Sequence, residues 1–99
     1  MHTATVEIFS DQTNAVVVRH PSRKFPGVLV QGDSLYILCC QADAACAGAK
    51  SSLDSESYGE LNDLRNELWS YLYHYKSVLG EHQLPLPFSE SAGAYGKRA

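Results

Sequence analysis

The first candidate for chemistry is a serine, Ser34, within the block Gly32–Leu35. A short apolar run precedes the block and a helical pattern follows it, a context in which a serine can act as a nucleophile. Such a serine needs a histidine base, a carboxylate that orients the base, and donors for an oxyanion. His74 falls in the middle of a predicted helix and His82 just after its end, so neither is placed as the base. We therefore expect a plainer role, in which the glycine makes a turn and Asp33 caps a helix.

Histidine and cysteine are the residue types here that could hold a metal ion. They occur as His2, His20, His74, His82, Cys39, Cys40 and Cys46. No two histidines stand four residues apart on a helix and no cysteines form a Cys-x-x-Cys pair, the spacings typical of zinc sites. We predict no metal and no cofactor, and we expect three reduced cysteines in the core, as in a cytoplasmic protein.

A short basic segment could bind an anion. Its charged or titratable residues are Arg19, His20, Arg23 and Lys24, and Gly27 would let a phosphate approach the backbone closely. The segment has no Walker lysine and no glycine-rich loop that opens a helix, and it is too short for a nucleic-acid-binding surface. A solvated loop is the simpler interpretation. The alternative function for this chain is a small-ligand or nucleotide-binding accessory domain that uses Arg19, Arg23, Lys24 and Gly27.

Acidic residues concentrate around the start of the second predicted helix, where Arg65 is the one base. They are Asp54, Glu56, Glu60, Asp63 and Glu67. Negative charge stabilises a helix N-terminus, but five acids exceed what a cap requires. Trp69 and Tyr73 are four residues apart, so we expect them to touch and to be exposed beside the acids. Acids bordered by aromatic anchors are typical of a protein-binding surface, and a solvated helix face is the competing interpretation.

Length and charge limit the class of protein. The chain has 99 residues and a formal net charge of −3. This length suits one domain, which we place at residues 1–88, followed by a flexible C-terminal tail at residues 89–99. A net acidic chain is poorly suited to binding nucleic acid. No run approaches the roughly 20 apolar residues of a membrane helix, and no signal segment is recognisable, so we expect a cytoplasmic protein without a membrane partner.

Hydrophobic periodicity predicts an α+β fold. Residues 5–9 alternate with a period of two and residues 15–19 are rich in β-branched side chains, which predicts a hairpin with Val6 and Ile8 facing the core. Residues 28–31 form either a third strand, which we favour, or an extended segment. Helical spacing follows over residues 33–49 and again over residues 57–80. The predicted fold is a small antiparallel β-sheet of two or three strands packed against two antiparallel helices, in the order β-β-(β)-α-α.

The second helix has the clearest boundaries in the sequence. Ser57-x-x-Glu60 is a capping-box pattern, and Gly80 offers a C-cap. An apolar stripe at helical spacing should face the core; its members are Leu61, Leu64, Leu68, Tyr71, Leu72, Tyr75, Val78 and Leu79. After it, residues 84–88 form an extended apolar segment that we expect to lie on the core.

Two stretches resemble known families. The Gly32–Leu35 block resembles the block for which the GDSL hydrolases are named, but the chain lacks the Asp-x-x-His that supplies the base in that family and is much shorter. Residues 19–35 resemble a family of small bacterial proteins of unknown function with the signature R-x-P-x-R-x-F-P-G-x-x-x-Q-G-D-S-L. The second resemblance implies a small bacterial cytosolic domain, a class in which immunity proteins against secreted toxins are frequent.

The acidic and aromatic residues predict a non-enzymatic protein-binding module, and the second resemblance implies that it is an immunity protein, which neutralises a secreted bacterial toxin encoded by a neighbouring gene. The five acids, Trp69 and Tyr73 would form the partner-binding surface. A homodimer is a third prediction, because small residues fill the second half of the first helix, residues 42–49, and let another element approach closely.

Overall fold

The structure is a computed structural model that describes residues 1–90, and it contains three strands followed by two helices. The order is β-β-β-α-α, so the predicted α+β fold is confirmed. The chain divides into two compact units, a sheet unit at Met1–Gln31 and a helical unit from Gly32 onward. The single domain at residues 1–88 stays a prediction. Of the predicted tail, residues 91–99 lie outside the described residues, and Glu90 forms an ion pair with Lys76 at 2.6 Å.

The sheet unit is a three-stranded antiparallel sheet. Its strands β1 (Glu7–Ser10), β2 (Ala15–Arg19) and β3 (Gly27–Val30) lie in the order β1-β2-β3. The third strand is thus paired, as favoured from the sequence. Ile8 pairs with Val18, Val16 with Leu29 and Val18 with Gly27, so these residues share one face, because alternate strand residues point to the same side.

The predicted burial of the first strand is wrong. Val6 and Ile8 were expected to face the core, but both are exposed, Ile8 to 59%. Strands of four and five residues bring few side chains together, so a sheet of this size buries little apolar surface by itself.

The helical unit is an antiparallel hairpin of α1 (Gly32–Ala49) and α2 (Ser55–Glu81). Cys46 Sγ lies 3.8 Å from the carbonyl oxygen of Leu61, whereas Gly32 at the other end of α1 packs on Tyr75. The two helices therefore run antiparallel to each other. A Cβ at Gly32 would overlap the Tyr75 ring, which explains why a residue without a side chain begins α1. Asp33 was predicted to be the N-cap of α1, but it lies inside the first turn of the helix. There its Oδ1 accepts a hydrogen bond from Ser34 N at 2.8 Å.

The core of the hairpin consists of Cys39, Trp69 and Leu72, with five half-buried side chains packed around it. Those five are Leu35, Tyr36, Leu68, Tyr75 and Phe88. Phe88 stacks on Tyr36 with ring centroids 4.3 Å apart, so the end of the predicted apolar segment does pack on this core. Leu84, at the beginning of that segment, is exposed.

Both ends of α2 differ from the sequence prediction. The N-cap is Asp54, whose Oδ1 accepts from Ser57 N at 2.7 Å, so Ser57 is a first-turn residue and not the cap. The C-cap is His82, and Gly80 lies inside the helix. Gln83 adopts the left-handed conformation at φ 58, and Leu84 N bonds the Leu79 oxygen, the pattern of a Schellman ending.

The Asp54 cap makes the stability of α2 depend on pH. The hydrogen bonds from Ser57 lower the pKa of this carboxyl. A lowered folded-state pKa contributes stability above the unfolded value of about 3.9, and that contribution is lost as the pH falls through the folded pKa. We expect Asp54→Asn, which caps equally well but does not titrate, to match the native Tm at pH 7 and to lose less Tm between about pH 4 and pH 2.

Thermal unfolding followed by circular dichroism across that pH range measures the effect. Asp63→Asn is the control, since it removes an exposed carboxylate from the same helix without touching a cap. Equal acid sensitivity of native protein and Asp54→Asn would contradict the role of this carboxylate.

Candidate functional site

The five acidic residues predicted to bind a partner are all exposed, and four of them line one side of α2. We call Glu56, Glu60, Asp63 and Glu67 the acidic face. Their spacing of four, three and four residues keeps them on one side of a helix with 3.6 residues per turn. Asp54, the fifth predicted acid, is also exposed, but its carboxylate caps the helix and is already engaged.

Arg65, the one base among these acids, does not neutralise them. Its side chain is 10% exposed and its Nε lies 3.9 Å from Asp43 Oδ1 of α1, so the guanidinium is directed into the hairpin. Asp43 Oδ1 also accepts from Trp69 Nε1 at 2.9 Å. The acidic face therefore presents four negative charges without a neighbouring base from its own half of α2.

The expected exposure of the two aromatic anchors holds for only one of them. Trp69 is 2% exposed and belongs to the core, so the expectation that it is exposed is wrong. Tyr73 is exposed and contacts the Trp69 ring at 5.7 Å between centroids, as predicted, but it lies on the flank of the helix away from the acids. The indole is buried because Asp43 on the neighbouring helix satisfies its N–H, a partner that the sequence of α2 alone does not reveal.

Two other large side chains are exposed beside the acids, where Trp69 was expected. Leu64 and Tyr71 are each 56% exposed, although both were predicted to be core residues. Each follows an acid of the acidic face by four residues, namely Glu60 and Glu67, so each stands one turn further along the same side. A hydrogen bond to the Glu67 carboxylate raises the pKa of the Tyr71 hydroxyl. This i, i+4 spacing was the signal in the sequence that would have found them.

The charged residues of the predicted basic segment differ in whether they form ion pairs. Arg19 forms an ion pair with Glu7 at 2.5 Å, bonds the Lys24 carbonyl oxygen at 3.4 Å and lies over the Phe9 ring. Its charge is thus engaged by the sheet. Arg23 and Lys24 form no ion pair with any residue of the described chain, and both are exposed.

A cavity of ≈ 550 Å³, open to solvent, lies within the sheet unit, beside this segment. Most of its lining is apolar and comes from Val6, Val18, Phe25, Val28 and Leu29. His20, Arg23, Lys24 and Gly27 complete the lining, so three of the four residues predicted for an alternative ligand site are brought together here, without Arg19.

Comparison with known proteins gives one result. Residues 1–88 match a family described as a family of unknown function, DUF6959. The chain belongs to DUF6959. The predicted membership of a family of unknown function is thus confirmed, whereas the signature at residues 19–35 stays a prediction. No curated protein and no solved structure matches the chain.

In this DUF6959 member, Ser34 lies in the first turn of α1 and is half-buried. No histidine of residues 1–90 hydrogen-bonds its hydroxyl; the serine–histidine contact found there joins Ser22 Oγ and His20 Nδ1 at 2.7 Å, between two exposed residues. His20 Nδ1 also accepts from the backbone N–H of Ser22, so this contact is a local turn interaction. The absence of enzymatic activity stays a prediction.

The three cysteines of the DUF6959 chain are buried, as predicted, and none of them forms a disulfide. Burial raises the pKa of the Cys40 thiol; a hydrogen bond with Tyr36 acts against this, and the charges of Asp43 and Glu90 add to it. Within residues 1–90 no three metal-ligating side chains come together. Neither helix in that range has the length and apolar character needed to cross a membrane.

Proposed function

We propose that this DUF6959 member is a non-enzymatic protein-binding module that captures a basic protein surface with α2. The proposal rests on one observation: four unneutralised carboxylates and two large exposed apolar side chains, Leu64 and Tyr71, share one side of the helix. Aromatic and aliphatic side chains supply most of the binding energy in protein interfaces, while charge increases the rate of encounter.

The role we propose is that of an immunity protein, whose partner is a secreted bacterial toxin encoded by a neighbouring gene. An immunity protein must capture its target quickly, and electrostatic steering by a patch of one sign accelerates association. None of the three cysteines forms a disulfide, which suits a reducing compartment and supports a site of action in the cytoplasm. The acidic face argues for a basic toxin surface as the occupant, and it disfavours nucleic acid.

The first experiment measures association between this chain and the purified product of the adjacent gene. We expect Asp63→Lys/Glu67→Lys to lower the association rate at low salt by about tenfold or more, and we expect the difference to shrink in high salt. Asp11→Lys/Asp33→Lys is the matched control, because it changes the net charge equally at exposed acids outside the acidic face. An unchanged rate for Asp63→Lys/Glu67→Lys would rule out this surface.

The second experiment tests the apolar anchors. Tyr71→Ala and Leu64→Ala should each weaken the complex by about tenfold or more through faster dissociation, as is typical of central interface residues. Tyr73→Ala, which truncates an exposed tyrosine on another side of the same helix, should leave the affinity within about threefold of the native value. If the adjacent gene product does not bind and light scattering shows a doubled mass, the homodimer is the better description.

A further inference from the structure

We propose that the cavity of the sheet unit binds an amphipathic organic anion, with an apolar acyl or aryl body and one anionic head. This site is separate in its residues from the acidic face. Its volume of ≈ 550 Å³ is within the range of small-molecule sites, which are mostly apolar with a few polar groups that orient the ligand.

The register of the sheet creates the space for the apolar body. Gly27 pairs with Val18, and a Cβ added at Gly27 would meet nothing within 4 Å. The space above Gly27 is therefore open, and it forms a hollow beside Val18, Phe25 and Leu29, which line the cavity. These side chains are apolar, and covering them with a ligand would remove that surface from water, which is the main driving force for binding such a body.

The loop between β2 and β3 supplies the charge for the anionic head. Arg23 and Lys24 line the cavity and have no ion pair within residues 1–90. Glu7 of β1 forms its ion pair with Arg19. Two cations beside an apolar hollow are complementary to a ligand that is anionic at one end.

His20 adds a hydrogen-bond donor to the same lining. Its Nδ1 accepts from Ser22 N at 3.1 Å, so a neutral ring carries its proton on Nε2. A carboxylate could accept from Nε2 as well as from the two cations. The lining has no further polar side chain for a ribose or a polyphosphate, which is why we infer an amphipathic anion and not a nucleotide.

The test uses decanoate, below its micelle concentration, with the full-length chain. Calorimetry measures affinity, and amide NMR shifts locate the ligand. We expect decanoate to bind at least about tenfold more tightly than decanol, because a charge-assisted hydrogen bond contributes this much, and to shift amides of residues 18–29. Inorganic phosphate and ATP, which lack an apolar body of this kind, should bind at least tenfold more weakly.

Two variants test the two halves of the site. Gly27→Leu should abolish decanoate binding by filling the hollow, and Arg23→Gln/Lys24→Gln should weaken binding by about tenfold or more. Lys50→Gln, an exposed lysine on the loop after α1, should bind as the native chain does.

The proposal is overturned if decanoate fails to bind, if decanol binds equally well, or if neither variant weakens binding. Tighter binding of ATP or phosphate would instead assign the loop to the nucleotide site of the alternative prediction. Should Gly27→Leu lose the native NMR spectrum, Arg23→Gln/Lys24→Gln still decides the matter. None of these results depends on the protein partner of α2.

Discussion

Asp43→Ala should lower the free energy of unfolding by about 3–5 kcal/mol, the usual effect of breaking a buried ion pair from one side. The substitution removes the carboxylate that lies 3.9 Å from Arg65 Nε and that accepts from Trp69 Nε1 at 2.9 Å. Both side chains of the ion pair are 10% exposed, so little water can replace what is lost. Urea unfolding followed by the fluorescence of Trp69, the one tryptophan of the chain, measures the change.

Adding Arg65→Met to Asp43→Ala should restore part of this stability. The double variant removes the buried charge, and it should remain about 1–3 kcal/mol below the native chain because the indole N–H still lacks its acceptor. The ion pair itself is imperfect: Asp43 Oδ2 and Arg65 Nε have no hydrogen-bond partner within residues 1–90, which favours recovery by an apolar pair. Purely additive losses in the double variant would show that the two charges do not interact.

Leu72→Ala should lower the free energy of unfolding by about 2–5 kcal/mol, through lost burial and the cavity that remains. Leu72 is 0% exposed and packs with Cys39 and Trp69 at the centre of the hairpin. The same Trp69 fluorescence measurement in urea applies.

Leu64→Ala is the matched control for Leu72→Ala. It makes the same substitution two turns earlier in the same helix, at a residue that is 56% exposed, and should change stability by no more than about 0.5 kcal/mol. Equal losses for the two variants would mean that α2 is packed through a different side. A stable Leu64→Ala chain is also what the partner-binding test of this residue requires.

Binding at α2 and binding at the sheet cavity are distinguishable because they use different residues and different chemistry. Charge reversal at Asp63 and Glu67 leaves the cavity lining intact, and neutralising Arg23 and Lys24 leaves the acidic face intact. If the chain binds decanoate but not the neighbouring gene product, the ligand site is supported and the immunity role is not. If it binds the gene product but not decanoate, the immunity role is supported and the ligand site is not.

The sequence alone determined the elements and their order. Strand and helix periods are local, so residues 15–19, 28–31 and 33–49 could be assigned to within a residue or two of the observed strands and helix. The burial of the three cysteines was also predicted from the sequence. The ends of α2 were misplaced, because Asp54 and Ser57 are both good caps and only the folded backbone selects one.

Tertiary structure decided which side of α2 is buried and where the sheet is hollow. Apolar residues cover more than one side of α2, so the 3.6-residue period allows either Tyr71 or Trp69 to face the core. The neighbouring helix chooses Trp69, since Asp43 reaches its N–H from α1. In the same way, strand pairing sets Gly27 opposite Val18, and both residues line the cavity. Both outcomes depend on contacts between segments distant in the chain, and a local pattern contains no information about which segments will meet.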